Sequence, residues 1–401
     1  MKPLPRILLL VALAALPALV ASSPATAGKQ MEVAVQDDGL FIFPLHASDR
    51  EVALSRARAL GATHIRMNVL WWQTIPASQR SQTTIPSPIT YNWAPWDGAI
   101  ARAAAWGIKT QLDLTGDPPA WACGSKLPPY ACDGYRPSIP LFDHFVRAAA
   151  QHFKGRVSRY SIWNEPNWYT WLSPHKEAPI LYRDLYRTGY NAIKSVDPGA
   201  EVVMGETAPH FQKNISTPPL QFIREMVCVN KKLKRIPGAD EKCTGGPLQL
   251  DAYSTHPYDF THKPTRRRKN PDELTMANIG RLPKLLNKLR KKGLIEPSKK
   301  RFPIYLTEDG YFVGGNRGVP EARRAQWITQ AWQMALDSPR VKQMLHFVLV
   351  SPPASAPSAY FDMGLIAQNG TRRTSYFALQ NWIQQAVAAG KLARPGPCSA
   401  C

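Results

Sequence analysis

Two glutamates, Glu165 and Glu308, are the residues best suited to chemistry in this 401-residue chain. Each follows a short apolar run bounded by Gly or Pro and rich in Ile, Tyr and Trp, a pattern typical of a β-strand. In parallel α/β folds the carboxyl ends of the strands meet at one face, where active sites are built. Two carboxylates facing one cleft can act as a proton donor and as a nucleophile or base, which is the chemistry that cleaves a glycosidic bond.

The elements that would position these glutamates alternate along the chain. Strands are predicted at 31–35, 64–70, 109–114, 157–163, 201–205, 249–255, 303–307 and 343–350. Helices are predicted at 49–60, 96–106, 140–153, 180–196, 220–232, 272–292, 321–336 and 375–389. This alternation predicts an α/β fold, a (β/α)8 TIM barrel, as a single catalytic domain over 28–390 with a short tail at 391–401. The rival, a doubly wound open sheet, usually has a glycine-rich phosphate turn after its first strand, and the sequence has none there.

The connections that follow the strands are mostly longer than those that follow the helices. The long ones lie at 71–95, 116–139, 206–219 and 351–373 and are rich in Pro and aromatic residues. One face of the barrel is therefore expected to be elaborated, as a face that carries an active site would be. Glu165 is surrounded in sequence by Trp163, Trp168, Tyr169 and Trp171, whose flat rings suit stacking on sugars. A plainer interpretation of Glu165 alone is a surface carboxylate that caps a helix.

The first 27 residues have the pattern of a secretory signal peptide. Lys2 and Arg6 precede an apolar stretch over 7–20, and small residues at 22–27 predict cleavage after Ala27. An uncleaved membrane anchor is the alternative, but the apolar stretch is shorter than the roughly 20 residues that span a bilayer. We therefore expect a secreted or extracellular protein without a membrane span after cleavage.

The six cysteines agree with export, because they fall into three local pairs. The pairs are Cys123 with Cys132, Cys228 with Cys243 and Cys398 with Cys401. Six cysteines permit 15 pairings, so the sequence favours these neighbours without excluding the others. A zinc site at Cys398 and Cys401 would need a second pair of ligands, which the sequence does not offer nearby.

Charge is concentrated in one part of the chain. The sequence holds 50 Lys and Arg against 29 Asp and Glu, a net charge of +21, and residues 224–301 hold 20 basic and 8 acidic residues. Two interpretations stay open: this segment binds an anionic glycan or cell-wall polymer, or its basic side chains form the solvated outer faces of two helices. Nucleic acid is not the expected partner, because the chain has an export signal and no nucleic-acid-binding motif.

The two glutamate motifs resemble those of a known group of enzymes. Residues 163–166, Trp-Asn-Glu-Pro, resemble the acid/base motif at the end of the fourth strand in clan A glycoside hydrolases. Residues 307–310, Thr-Glu-Asp-Gly, resemble their nucleophile motif at the end of the seventh strand. The strand count places Glu165 on the fourth strand and Glu308 on the seventh independently of the motifs. Families 39 and 5 are the nearest matches.

The resemblance implies roles for further residues. Arg66, in the second-strand segment 64–68, would lie against Glu308 and keep its pKa low. Asn164 would bind the 2-hydroxyl of the sugar, and Trp121, in the third-strand segment 114–122, would line the sugar cleft. The sixth-strand segment 254–258 would supply His256 or Tyr258 beside the nucleophile, although an ordinary structural role in the barrel mouth is the alternative for both.

One feature departs from the resemblance. Clan members often carry a Trp at the end of the eighth strand as a platform for the sugar, and the run 346–351 has none. Trp71, Trp72 or a loop aromatic is therefore expected to substitute.

The resemblance implies a retaining glycoside hydrolase that cleaves β-glycosidic bonds by double displacement, with Glu165 as acid/base and Glu308 as nucleophile, and the signal peptide predicts that it is secreted. The supply of Trp favours endo action on a polysaccharide over exo action on a short sugar. The alternative is a noncatalytic glycan-binding or cell-surface protein on the same barrel. No cofactor or metal is expected, because the sequence has no zinc-binding helix motif, no serine elbow and no phosphate loop.

Overall fold

The computed structural model describes residues 30–124, 132, 134–297 and 301–401. The leader predicted over 1–27 lies outside the described residues. Within the described ranges, no helix combines the length and the apolar content that crossing a bilayer requires.

Eight parallel strands form a closed barrel. They are β1 (Glu32–Gln36), β2 (His64–Leu70), β3 (Lys109–Thr115), β4 (Arg159–Ile162), β5 (Glu201–Thr207), β6 (Ala252–Thr255), β7 (Ile304–Leu306) and β8 (Val341–Phe347). Each strand pairs with its neighbours in sequence, and β8 pairs with β1 over five residues to close the ring. The predicted TIM barrel is confirmed, and each predicted strand is present with shifts at its ends.

Helices surround the barrel in the predicted alternation. The main ones are α1 (Ala47–Leu60), α2 (Ala94–Ala105), α3 (Ile139–Phe153), α4 (Ala178–Val196), α5 (Pro219–Met226), α6 (Arg281–Lys291), α7 (Glu321–Leu336) and α8 (Thr374–Ala388). Short helical turns lie at Asp38–Phe41, Trp71–Thr74, Ala77–Arg80, Ala120–Ala122, Ala239–Lys242, Met276–Asn278, Gly315–Arg317 and Pro357–Phe361.

Three elements differ most from the predicted bounds. Helix α5 ends at Met226, earlier than predicted, because Cys228 takes a positive φ of 53° that a right-handed helix does not accommodate. Helix α6 begins at Arg281, later than predicted, because the preceding residues form a separate capped turn. The predicted sixth strand is split: Leu248–Gln249 pairs with Ile295–Glu296 outside the barrel, and only the later part enters it.

Polar side chains fill the barrel interior in two layers, because alternate residues of each strand point inward. Near the amino-terminal ends of the strands, Arg159 forms ion pairs with Glu32 and Glu201. One layer higher, Arg66 forms ion pairs with carboxylates from other strands. The upper layer lies at the carboxyl ends of the strands and forms the floor of the site described below.

The end of the chain packs against the barrel. The backbone N–H of Ala393 donates to the carbonyl of Met31 before β1, and that of Ser399 donates to the carbonyl of Ala105 at the end of α2. The six cysteines form the three predicted pairs, Cys123–Cys132, Cys228–Cys243 and Cys398–Cys401.

Candidate active site

Glu165 and Glu308 follow the carboxyl ends of β4 and β7 and meet over the barrel mouth. Nδ1 of His256 lies 2.9 Å from Oε1 of Glu165 and 3.5 Å from Oε2 of Glu308, and one potential ligand atom of each of the three residues lies within 4.8 Å of the other two. The Glu165 side chain is 19% exposed and that of Glu308 is 9% exposed. Residues that are far apart in sequence therefore form one compact carboxylate–imidazole cluster.

The backbone after β4 takes an uncommon conformation that aims Glu165 at this cluster. Trp163 and Glu165 have positive φ angles of 68° and 38°, a region that residues other than glycine seldom adopt. The backbone N–H of Asn164 donates to Oγ1 of Thr115 on β3, and that of Glu165 donates to the carbonyl of Glu206 on β5. Bonds to the strands on either side thus hold the segment in a conformation that a free chain would avoid.

Arg66 on β2 is the centre of the hydrogen-bond network below the two glutamates. Its guanidinium is fully buried and donates to Oε1 of Glu308 at 2.9 Å and to Oδ1 of Asn164 at 2.8 Å. It also donates to both carboxylate oxygens of Glu206 and lies 3.4 Å from Oδ2 of Asp113. Burial lowers the pKa of Arg66, but these carboxylates outweigh burial and raise it above its ordinary value. Arg66 is therefore a permanent cation that holds Glu308 and Asn164 in place.

The pKa of Glu308 differs from the expectation. Burial raises the pKa of Glu308 above its ordinary value, and the cations of His256 and Arg66 only partly oppose that effect. Arg66 lowers the pKa of Glu308 as expected, but the expectation of a low pKa was wrong because burial outweighs that effect. The carboxylates of Glu165 and Glu206 also raise the pKa of Glu308 by charge repulsion, which adds to the effect of burial.

His256 and Tyr258 both lie beside Glu308. The phenolic O–H of Tyr258 donates to Oε2 of Glu308 at 3.0 Å, and His256 contacts the same oxygen. Burial lowers the pKa of His256, but Glu308 and Glu165 together raise it above its ordinary value. Both residues can therefore supply hydrogen bonds to the Glu308 carboxylate.

This geometry predicts how His256 titrates. We expect its pKa to lie above about 6.5 in the folded protein and to fall in the Glu165→Gln and Glu308→Gln variants, because the two carboxylates stabilise the imidazolium. A raised folded-state pKa means that His256 contributes stability below about pH 6.5, and that this stability is lost as the pH rises through the folded-state value.

Histidine resonances followed by NMR against pH would test this expectation. His346 is an internal control, because it is also buried, its Nε2 donates to the carbonyl oxygen of Met363, and burial lowers its pKa to about 3. A His256 pKa that is unchanged by both glutamine substitutions would contradict the prediction.

The structure does not bring the two predicted tryptophans to the site. Trp71 is fully buried and stacks on Phe145 of α3, with ring centroids 5.3 Å apart. Trp121 is also buried, and its indole N–H donates to the carbonyl of Gln79. Neither residue lines the cavity over the glutamates, so the expectation that they bind substrate is corrected. Both rings lie in the packing beneath the loops, which a count of aromatic residues cannot reveal.

Several residues at the site were missed or misread from the sequence. Glu206, at the end of β5, is fully buried and paired with Arg66. Phe347, at the end of β8, lines the cavity in the region where clan A enzymes often carry a Trp. Asp37 and Asp38, which follow β1, also line the cavity, and burial raises the pKa of each to about 7. Their position directly after the first predicted strand could have identified them as candidate site residues.

A cavity of about 920 Å³ lies over the carboxyl ends of the strands. Its polar inner part is lined by Asp38, Asn68, Asn164, Glu165 and Glu308. Its outer part is lined mainly by apolar residues of the loops that follow β1 and β8. The size and the few convergent polar groups are typical of a small-molecule binding site.

Comparison with known proteins reveals similarity in structure only. No protein-family model matches the sequence, and no curated protein matches it. A family 39 glycoside hydrolase from Bacteroides cellulosilyticus WH2 superposes with a TM-score of 0.62 at 16% identity, over 89% of this chain and 64% of that one. A family 39 β-xylosidase from Caulobacter crescentus gives 0.59 at 17% identity, over 90% and 72%. Xylanase 10B from Thermotoga petrophila RKU-1 in complex with xylobiose gives 0.54 at 16% identity, over 89% and 95%.

These similarities show the fold. The barrel of this chain is structurally similar to those of family 39, family 5 and family 10 glycoside hydrolases. The chain spans 64% of the length of the family 39 enzyme from Bacteroides.

Proposed function

We propose that this protein is a retaining glycoside hydrolase that cleaves β-glycosidic bonds, with Glu165 as acid/base and Glu308 as nucleophile. The closeness of the two carboxylates carries the proposal, because one oxygen of Glu165 and one oxygen of Glu308 lie within 4.8 Å of each other. Retaining enzymes hold the two carboxyl groups about 5–5.5 Å apart, whereas inverting enzymes need roughly 6.5–9.5 Å to admit a water molecule. The β-xylosidase and the xylanase that share this fold support a β-linked glycan as the substrate class.

In the first step, an oxygen of the Glu308 carboxylate attacks the anomeric carbon of the sugar, and the bond from that carbon to the leaving oxygen breaks. The leaving oxygen takes the proton of Glu165. The sugar is then joined to Glu308 as an ester, and Glu165 is a carboxylate.

In the second step, Glu165 removes a proton from a water molecule, and the water oxygen attacks the anomeric carbon from the side that the leaving group occupied. The ester bond to Glu308 breaks, and its electron pair returns to the carboxylate. Two inversions at the same carbon give retention, and both glutamates recover their starting protonation.

The neighbours of Glu308 have defined tasks in this scheme. Arg66 and Tyr258 donate to different oxygens of the Glu308 carboxylate, so they orient it for attack and stabilise it when it leaves. Asn164 accepts from Arg66 through Oδ1, which fixes its amide where it can bind the 2-hydroxyl of the sugar. His256 lies between the two glutamates. It can therefore interact with the carboxylate of Glu308 before the first step and with that of Glu165 after it.

The decisive experiment is to incubate the purified mature protein with a panel of plant, fungal and bacterial glycans and to identify the released sugars. Proton NMR at early times would give the anomeric configuration of the first product, which we expect to be β. A first product of α configuration would contradict retention. The distribution of product lengths would distinguish endo from exo action, of which we propose endo action on a polysaccharide.

We also propose that the protein is secreted and that its substrate or surroundings carry negative charge. Three disulfides support export, because such bonds persist in oxidising compartments. Two groups of exposed cations within the basic segment lie on different sides of the barrel. Lys263, Arg266, Arg267 and Lys269 are exposed in the loop that follows β6 on the catalytic face, whereas the exposed lysines of α6 lie on an outer helix.

The positions of these two groups predict which cations contribute to the binding of an anionic glycan. Binding to polygalacturonate, an anionic glycan, should weaken when Arg266, Arg267 and Lys269 are replaced by Ser, because these cations lie on the face that would meet the polymer. The matched control replaces Lys284, Lys288 and Lys291 of α6 by Ser, which removes the same charge elsewhere. Binding should also weaken with sodium chloride, since the Debye length falls from about 10 Å at 0.1 M to about 3 Å at 1 M. Equal effects of both triple variants would contradict a role for the loop.

A further inference from the structure

The outer part of the cavity is unusually apolar for a surface in contact with water. Among the described residues, eight large apolar side chains are strongly exposed, and four of them line this cavity. They are Phe43 (44% exposed), Leu45 (88%), Val52 (46%) and Tyr360 (73%). Such clustering is uncommon on a monomer surface and marks a place where an apolar group binds.

The four side chains lie on one side of the two glutamates. Phe43, Leu45 and Val52 belong to the loop after β1 and to helix α1, and Tyr360 belongs to the loop after β8. In the closed order of strands, β8 and β1 are adjacent to each other and lie across the barrel from β4, which carries Glu165. The cavity therefore runs from Glu165, past Glu308, to an apolar rim on the opposite side.

This direction identifies which part of a substrate would reach the rim. In the proposed reaction the leaving group is bonded to the oxygen that Glu165 protonates, so it lies on the Glu165 side. The ring whose anomeric carbon Glu308 attacks extends the other way, across Glu308 toward β8 and β1. The rim therefore meets groups attached to the glycone, not the leaving group.

The aliphatic part of the rim does not suit sugar hydroxyls. Leu45, Val52, Pro352 and Pro353 have neither flat ring faces nor hydrogen-bonding side-chain groups. A hydroxyl pressed against them would lose water without gaining a partner, which costs free energy. Burial of an alkyl or aryl group at the same place would be favourable in proportion to its area.

We propose that the apolar rim formed by Phe43, Leu45, Val52 and Tyr360 is a subsite for an alkyl, acyl or aryl substituent carried by the glycone of the substrate. This inference rests on the proposed glycosidase function, which defines the glycone side. The continuity of the rim with the cavity that holds both glutamates favours the substrate over a second copy of the chain or a bilayer as its occupant.

The test compares pairs of substrates that differ only on the glycone side. p-Nitrophenyl β-glucoside, β-xyloside and β-mannoside would each be assayed unmodified and as the 4-O-octyl ether. We expect the ether to raise kcat/KM about 10-fold or more for the sugar that is hydrolysed, because the octyl chain becomes buried. Octyl glycosides, which place the same chain on the leaving group, should show no comparable gain over methyl glycosides.

Variants of rim residues would show whether the gain in kcat/KM depends on the rim. Leu45→Asp and Tyr360→Ser should each lower the ratio of kcat/KM for the ether to that for the parent glycoside. Ile85→Asp is the matched control, because Ile85 is 54% exposed but does not line the cavity, and its ratio should equal that of the wild type. An ether that is hydrolysed no better than its parent, or a ratio unaffected by Leu45→Asp, would overturn the proposal.

A binding measurement that does not depend on catalysis can distinguish failure of this proposal from failure of the proposed function. The neutral dye N-phenyl-1-naphthylamine should bind the wild type and Ile85→Asp with enhanced fluorescence, and should bind Leu45→Asp more weakly. Dye binding that depends on Leu45 in a protein that hydrolyses no glycoside would reject the glycosidase and retain an apolar binding site. Sedimentation showing a dimer that Leu45→Asp dissociates, or flotation with phosphatidylcholine vesicles that Leu45→Asp abolishes, would instead assign the rim to another occupant and overturn the proposal.

Discussion

Replacing Glu308 with glutamine is expected to lower kcat/KM by roughly 10⁴-fold or more, equivalent to about 5.5 kcal/mol of transition-state stabilisation. The amide keeps the shape of the side chain but cannot attack the anomeric carbon, so the glycosyl ester does not form. Glu165→Gln should be similarly damaging on natural substrates, because no acid remains to protonate the leaving oxygen. Both variants should stay folded, as judged by circular dichroism.

Rescue by azide distinguishes the two roles. In Glu165→Ala, azide can replace water in the second step, and the product should be a glycosyl azide of retained configuration. In Glu308→Ala, azide can only enter from the face that Glu308 occupied, so the product should have inverted configuration. Glu177→Gln is the matched control, because Glu177 is an exposed carboxylate paired with Arg136, and its activity should equal that of the wild type. Near-normal turnover by Glu308→Gln would reject the assignment and favour a noncatalytic glycan-binding protein.

Replacing Arg66 with methionine is expected to lower the free energy of unfolding by about 3–5 kcal/mol. The reason is that Glu206, Asp113 and Glu308 would share a buried space without their common cation. The loss should be smaller at low pH, where these carboxyls can take up protons instead of remaining charged. Urea unfolding at pH 7 and at pH 5 would measure both effects.

Two comparisons make this prediction specific to the buried network. Arg147→Met removes an exposed guanidinium that pairs with Asp143 on the same helix, and its cost should stay below about 1 kcal/mol. Adding Glu206→Gln to Arg66→Met should restore part of the lost stability, because it removes one of the unpaired charges. A loss in Arg66→Met no larger than that in Arg147→Met would show that the network does not stabilise the fold.

Much of this molecule could be predicted from local patterns. Hydrophobic periodicity and the Gly and Pro residues between elements indicate the alternation of strands and helices. The barrel and the positions of Glu165 and Glu308 at strand ends could therefore be predicted from the sequence. The pairing of Cys123 with Cys132 was also favoured by local spacing. In a barrel, the ends of all strands meet at one face, so knowledge of the strand ends was enough to predict that the two glutamates lie near each other.

The tertiary structure decided the properties that depend on neighbours from distant strands. Arg66 sits among three carboxylates because alternate residues of several strands point into one layer. Only the tertiary structure shows that Glu308 is buried deeply enough for burial to raise its pKa despite the opposing charge of Arg66. Trp71 looked like a sugar platform beside its strand, but it packs on Phe145 of a helix further along the chain.

The apolar rim also depends on contacts between distant parts of the chain. Leu45 and Tyr360 lie near opposite ends of the chain and share one cavity only because β8 pairs with β1 when the barrel closes. Periodicity describes which face of an element is buried, and it is local. Closure of the barrel decides which residues pack on that face, how many charges they carry and how much water they exclude. The burial of the site residues, their pKa values and the shape of the cavity were therefore decided only by the tertiary structure.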